Sequence, residues 1–251
     1  MQIDYPIDKA PAAPEYVLDV LRDDYRQQCE CDPEAIPGVE LSMNTTIAEW
    51  RDACDLAGWR RVAEFLNRRF GVTYSLDLWR DFLEPEHETT LKGICLLVAK
   101  RAVRRKVRPS KLLGSSCMTA GVFRTIKAML RTLGADVSHL RPSTELHEYA
   151  RSYPELFLTD VSDLSSGKLP AATIRYCALC EAALRSFGLS LLAVIGGGAL
   201  KMPYLSLIGA VVAIMSYPTM WITARHVKPT SVTFGDLRTF ADLSRKLAGA
   251  V

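Results

Sequence analysis

The sequence predicts an all-α protein with two helical units, the second interrupted by a two-helix transmembrane hairpin. Three observations carry this. Apolar residues recur at helical spacing through most of the chain. Segments 41–50 and 140–149 echo each other at a constant offset of 99. Residues 186–224 form a thirty-nine-residue run with a single charge, Lys201. The predicted divisions are a helical unit over 1–103, a basic linker over 104–114, a split second unit over 115–177 and 229–251, and the hairpin over 178–225.

The first unit opens with Val17, Val20, Leu21 and Tyr25 on one helical face. A long loop ends in LSMNTTIAEW, residues 41–50. The next helix has Leu56, Trp59, Val62, Ala63, Leu66 and Phe70 as its stripe and Arg60, Arg61, Arg68 and Arg69 on its wet face, and Gly71 ends it. Ser75 then N-caps a short helix with Leu78, Trp79 and Phe82. Thr90 opens a last helix with Leu91, Ile94, Cys95, Leu97 and Val98 inward. In the second unit, Val122, Phe123, Ile126, Met129, Leu130 and Leu133 line one face before Gly134. The echo follows: Leu41, Thr45, Ile47, Glu49 and Trp50 match Leu140, Thr144, Leu146, Glu148 and Tyr149. Thr233 is expected to cap a closing helix bearing Phe234, Leu237, Phe240, Leu243 and Leu247, with Asp236 at its third position. That helix should pack on Phe123, Ile126 and Leu130.

Each half of the apolar run approaches the roughly 20 residues that a helix needs to span about 30 Å of hydrocarbon. Tyr204, Tyr217 and Trp221 fall where interfacial aromatics belong, and Gly188, Gly196, Gly197 and Gly198 offer a small-residue face. Lys168, Arg175 and Arg185 before the hairpin, with Arg225 and Lys228 after it, place both flanks and both termini in the cytoplasm of a bacterial inner membrane. The first fourteen residues contain Asp4 and Asp8 and no apolar core, so no signal peptide is expected.

On the residues Thr46-Ile47-Ala48-Glu49-Trp50, the helix at 55–70, the step Gly71-Val72-Thr73-Tyr74 and the opening Thr90-Leu91, the first unit resembles the acyl carrier protein fold, a small four-helix bundle. It is most similar to uncharacterised bacterial carrier-like domains. The resemblance covers about 90 residues well and the second unit loosely. It implies a phosphopantetheine arm on a serine that follows an aspartate, but the matching place here is Asp55-Leu56. In the second unit it falls near Tyr153, Pro154 and Glu155, where the nearest hydroxyl is Ser152. Neither unit shows Asp-Ser-Leu, so the covalent thiol arm is not expected. The acidic helix that carriers offer to partner enzymes is Arg-rich here, so the partner must differ.

Charge is divided along the chain: residues 1–98 carry 19 acids against 10 bases, and residues 99–251 carry 9 against 21. Lys100, Arg101, Arg104, Arg105, Lys106, Arg108 and Lys111 form the one dense basic run, expected to face anionic lipid. Without interleaved aromatics, the run does not point to nucleic acid. Seven scattered cysteines indicate free thiols. Cys177 and Cys180 form a C-x-x-C, and Cys29 and Cys31 a C-x-C, that together could supply four thiolates to zinc. No second C-x-x-C exists, the pairs belong to different units and no thioredoxin-like strand context surrounds them, so structural thiols are expected. His87, His139, His147 and His226 stand singly. No catalytic, cofactor or metal residues are assigned. The sequence favours a membrane-anchored, non-enzymatic interaction or scaffolding protein with a cytoplasmic protein partner. The alternative is a lipid- or acyl-handling carrier or enzyme subunit with its site at the membrane face.

Overall fold

A computed structural model of the chain describes residues 7–32, 34–112, 115–165, 167, 169–175, 178–199, 204, 207–208, 210–214, 217 and 229–249. Two compact units emerge, one of Met1–Thr173 with Thr233–Val251, the other of Ile174–Val232.

The larger unit begins with β1 (Ile7–Pro11) and α1 (Pro14–Cys31). Pro14 sits in the first turn, where its fixed φ suits a helix and its missing N–H costs nothing. The α1 residues Val17, Val20 and Leu21 are buried. Then come α2 (Ile47–Ala53), α3 (Trp59–Phe70), α4 (Leu76–Leu83) and α5 (Leu91–Ala99). Thr46 and Glu49 close a capping box on α2, and Ser75 caps α4 by accepting from the Leu78 amide. Trp79 is fully buried, and its indole N–H donates to Asn67 Oδ1 at 3.0 Å, so this large core side chain keeps its polar atom satisfied. The apolar faces of α1 and α5 pack together. β2 (Val103–Val107) then returns antiparallel to β1, with Lys9 opposite Arg105 and Asp8 opposite Lys106.

The second half repeats the plan. A hairpin of β3 (Ser110–Leu112) and β4 (Ser115–Cys117) leads into α6 (Met118–Thr132). After a loop come α7 (Leu146–Ser152), α8 (Pro154–Leu156), a π-helical turn (Phe157–Val161) and α9 (Ser162–Leu164). β5 (Ala172–Arg175) pairs with β6 (Ser231–Phe234), with α10 (Ala178–Ala199) between these strands in the chain, and α11 (Phe240–Ala248) closes the unit. The tail packs on α6 as the sequence predicts, with the Phe123 and Phe240 rings edge to face at 6.3 Å.

The echo at offset 99 is realised in hydrogen bonds. The Leu91 amide donates to Thr45 O at 2.9 Å, and the Phe240 amide to Thr144 O at 3.1 Å. Ile47 donates to Thr89 O at 3.0 Å, and Leu146 to Arg238 O at 2.8 Å. Lys92 reaches Met43 O at 3.0 Å, and Ala241 reaches Pro142 O at 2.7 Å. Within each loop the threonine hydroxyl accepts from an amide three residues earlier: Ser42 to Thr45 Oγ1 at 2.8 Å, Arg141 to Thr144 Oγ1 at 2.9 Å. In both halves, therefore, the end of the long loop clamps the start of the last helix.

Two expectations are corrected. The all-α reading gives way to a mostly helical fold that carries, among the described residues, three two-stranded sheets. Segments such as VRRKV and SVTF are short, and cross-strand pairing rather than a long apolar alternation defines them. The predicted basic linker over 104–114 overlaps β2 and contains β3, and Thr233 lies in β6, so the closing helix is capped by Thr239 with Asp242 in its place. Second, no helix among the described residues is long and apolar enough to cross a membrane. This overturns the transmembrane hairpin over 178–225 and the multi-pass inner-membrane address. α10 (Ala178–Ala199) includes Glu181 and Arg185, and beyond Arg185 only about 21 Å of helix remains at 1.5 Å per residue, short of about 30 Å of hydrocarbon. The second predicted span, 202–224, lies largely outside the described residues, as do Lys201, Trp221, Arg225, His226 and Lys228. Within the smaller unit, the Phe187 and Tyr217 rings lie 6.3 Å apart, and Leu189, Leu192 and Ile195 are exposed.

Candidate functional site

The two halves of the larger unit meet along a polar seam. Arg69, near the end of α3, is 7% exposed and donates to Asp24 of α1 at 2.9 Å and to Asp163 of α9 at 2.8 Å. Next to it Asp23, 1% exposed, accepts from Ser162 Oγ and pairs with Arg26, which also donates to Gly167 O at 2.9 Å. Burial pushes Asp24 up to about 6, against the pull of Arg69, with the Asp163 and Asp23 charges adding to the rise. Burial raises Asp163 as well. Burial works against the Arg69 charge, yet its hydrogen bonds to Asp163 and the Asp24 charge hold its pKa above the ordinary range. Gly167 makes the close approach possible. It has φ of +75°, and a Cβ there would lie 2.7 Å from Asp23 Cβ.

Above the seam opens a cavity of about 760 Å³, within the roughly 300–1,000 Å³ of small-molecule sites. Phe65, Phe70, Ala102 and Val103 give it an apolar wall, and Tyr16 borders it. Lys9, Arg68, Arg101 and Arg105 bring four further cations beside Arg69, against Glu155, Asp160 and Asp163. Asp160 pairs with Arg105 and Asp163 with Arg69. Thr159 and Asp160 come from the π-helical turn, a distortion that frequently marks functional positions.

The predicted basic run does not form one surface. Arg101 donates to Thr73 O at 3.0 Å and lies 4.8 Å from the Tyr74 ring centre. Arg105 joins it on the cavity. Arg104 stacks over Tyr16 at 5.3 Å, and Arg108 binds Asp8 at 2.6 Å, which lowers the Asp8 pKa through that hydrogen bond. Lys100 follows α5, and Lys106 and Lys111 lie on β2 and β3, all three exposed. A strand sends successive side chains to opposite faces, which divides a run that is continuous in sequence. Reasoning from sequence missed Lys9, Tyr16 and the acids of 155–163, because only the β1–β2 register and the α1–α9 contact bring them here.

The other candidates stay apart. Among the described residues no three His, Cys, Asp or Glu side chains gather as a metal site. Cys54 and Cys95 are free and buried, and burial pushes both thiols up to about 12. Cys177 lies outside the described residues. His87 and His147 neighbour Glu86 and Glu145 on the surface. The place matching the carrier serine falls in the turn 54–58, where Asp55 has φ of 43°. Ser152 ends α7 in an exposed position. Comparison with family models, with curated proteins and with solved structures gave no match to this chain.

Proposed function

We propose that the chain is a non-enzymatic protein-interaction module that presents the Arg-rich face of α3 to an acidic partner surface. One observation carries this reading. Arg60, Arg61 and Arg68 are exposed, and among the described residues none has a carboxylate within ion-pair distance. By contrast Arg22, Arg26, Arg51, Arg69, Arg80, Arg105, Arg108 and Arg245 are all paired. Glu64 is the one acid on that face of the helix. The Arg60 guanidinium rests 4.8 Å from the Trp59 ring centre, which orders one charge at the start of the helix. The resemblance to carrier domains supports the same face, since carriers meet their partners through this helix with the opposite charge.

The test is site-specific photo-crosslinking from position 64 in native cells, beside an Arg60→Glu, Arg61→Glu double variant. A crosslinked protein whose contact peptide is acidic, and which is lost on charge reversal and at high salt, supports the reading. A crosslink indifferent to charge reversal overturns it. Intact-mass analysis addresses the alternative, because a phosphopantetheine increment on Ser152 would replace this reading with acyl carriage.

A further inference from the structure

We infer that the cavity between the two halves of the larger unit is a binding site for the phosphate group of a small organic molecule. The first argument is the β1–β2 register. Lys9 stands directly opposite Arg105 in the antiparallel ladder, and like charges so placed repel. Asp160 answers only one of the pair, through Arg105. Arg68 and Arg101 add two more cations to the same cavity, and among the described residues neither they nor Lys9 has a carboxylate partner. Glu155 is the one acid there without a cation. The excess is positive, and it converges from β1, α3 and β2.

The second argument is Tyr16. The residue is 8% exposed and borders the cavity, and its hydroxyl, which keeps some accessible surface, has no hydrogen-bond partner among the described residues. A phenol O–H without a protein partner is available to donate to a ligand oxygen at the cavity wall. Burial, then the Asp163 charge, raise its pKa, so it remains a neutral donor. Arg guanidinium groups and a phenol are suited to the several oxygens of a phosphate dianion, whereas a carboxylate offers only two. The wall of Phe65, Phe70 and Val103 takes the organic part. Arg60 and Arg61 lie outside this cavity, and Arg68 is the residue it shares with the proposed partner face.

The test uses the full chain titrated calorimetrically with inorganic phosphate, pyrophosphate and malonate at constant ionic strength. Lys9→Gln and Arg68→Gln are the variants, since both side chains are exposed and unpaired among the described residues, and thermal melts check that they fold. Saturable binding of phosphate or pyrophosphate, stronger than malonate and about tenfold weaker in the double variant, is the expected result. Tyr16→Phe should weaken the same binding severalfold while the melting temperature holds. Binding that is absent, that is equal in the double variant, or that favours malonate overturns the assignment.

Discussion

Asp24 is the side chain whose environment most changes its chemistry. Its pKa rises to about 6 from an ordinary 3.8 because it is buried beside Asp163 and Asp23, with Arg69 opposing the rise and Arg105 and Asp160 farther along the seam. The folded chain therefore holds this proton more tightly than the unfolded chain. The stabilisation that follows is fully present below about pH 3.8 and is lost as pH rises through about 6, on the order of 2–3 kcal/mol for the isolated group. In Asp24→Asn that dependence should vanish. Urea midpoints should show the variant close to the parent at pH 4.5 and relatively more stable at pH 7.5; a relative loss at pH 7.5 would count against the raised pKa. Gly167 is the second sensitive position. Gly167→Ala combines a positive φ with a Cβ 2.7 Å from Asp23 and should cost about 1–3 kcal/mol, read as a lower melting temperature.

At the scale of elements, the clamp between loop end and last helix occurs twice, but its capping box does not fall at the same place. In the first half the box is Thr46 with Glu49 on α2; in the second it is Thr239 with Asp242 on α11. The bridges Thr46 to Thr90 and Glu145 to Thr239 show these threonines on opposite sides of equivalent pairs. Thr46→Ala and Thr239→Ala should each cost about 1 kcal/mol, while Thr90→Ala, whose side chain makes no cap, should cost clearly less; denaturant midpoints decide. This is also where the sequence was most legible. Leu41 to Trp50 and Leu140 to Tyr149 repeat because the same backbone bonds must be made twice. The strands were hidden because β2 is three-fifths Arg and Lys, and Arg104 and Arg105 find their partners on α1 and the π-helical turn, which no local pattern announces. The cavity was hidden for the same reason, since the Lys9–Arg105 pairing exists only in the ladder. The apolar run at 186–224 was visible, but its hydrophobicity alone did not establish a membrane span.

For the whole molecule, the second unit enters and leaves the chain through paired strands. β5 and β6 are neighbours, about 4.8 Å apart as any paired strands are, so the ends of the insertion are already close. Replacing 174–232 with a short glycine-serine connection should leave the larger unit folded, with a single cooperative transition by circular dichroism. Loss of that transition would show that the insertion is required for the fold of the rest. The same variant should keep phosphate binding, because every cavity residue belongs to the larger unit.

The placement of α11 has a consequence for synthesis. The first half is complete once β2 has emerged to pair with β1, so it can fold while translation continues. The apolar face of α6, with Val122, Ile126 and Leu130, must wait for Phe240, Leu243 and Leu247. At about 5–20 residues per second, the intervening chain takes roughly 5–20 seconds to appear. For that interval a nascent helix shows an uncovered hydrophobic stripe to the cell, beside a neighbour that has already closed. Ribosome-bound chains halted before residue 240 should therefore be captured by chaperones that release them once α11 emerges.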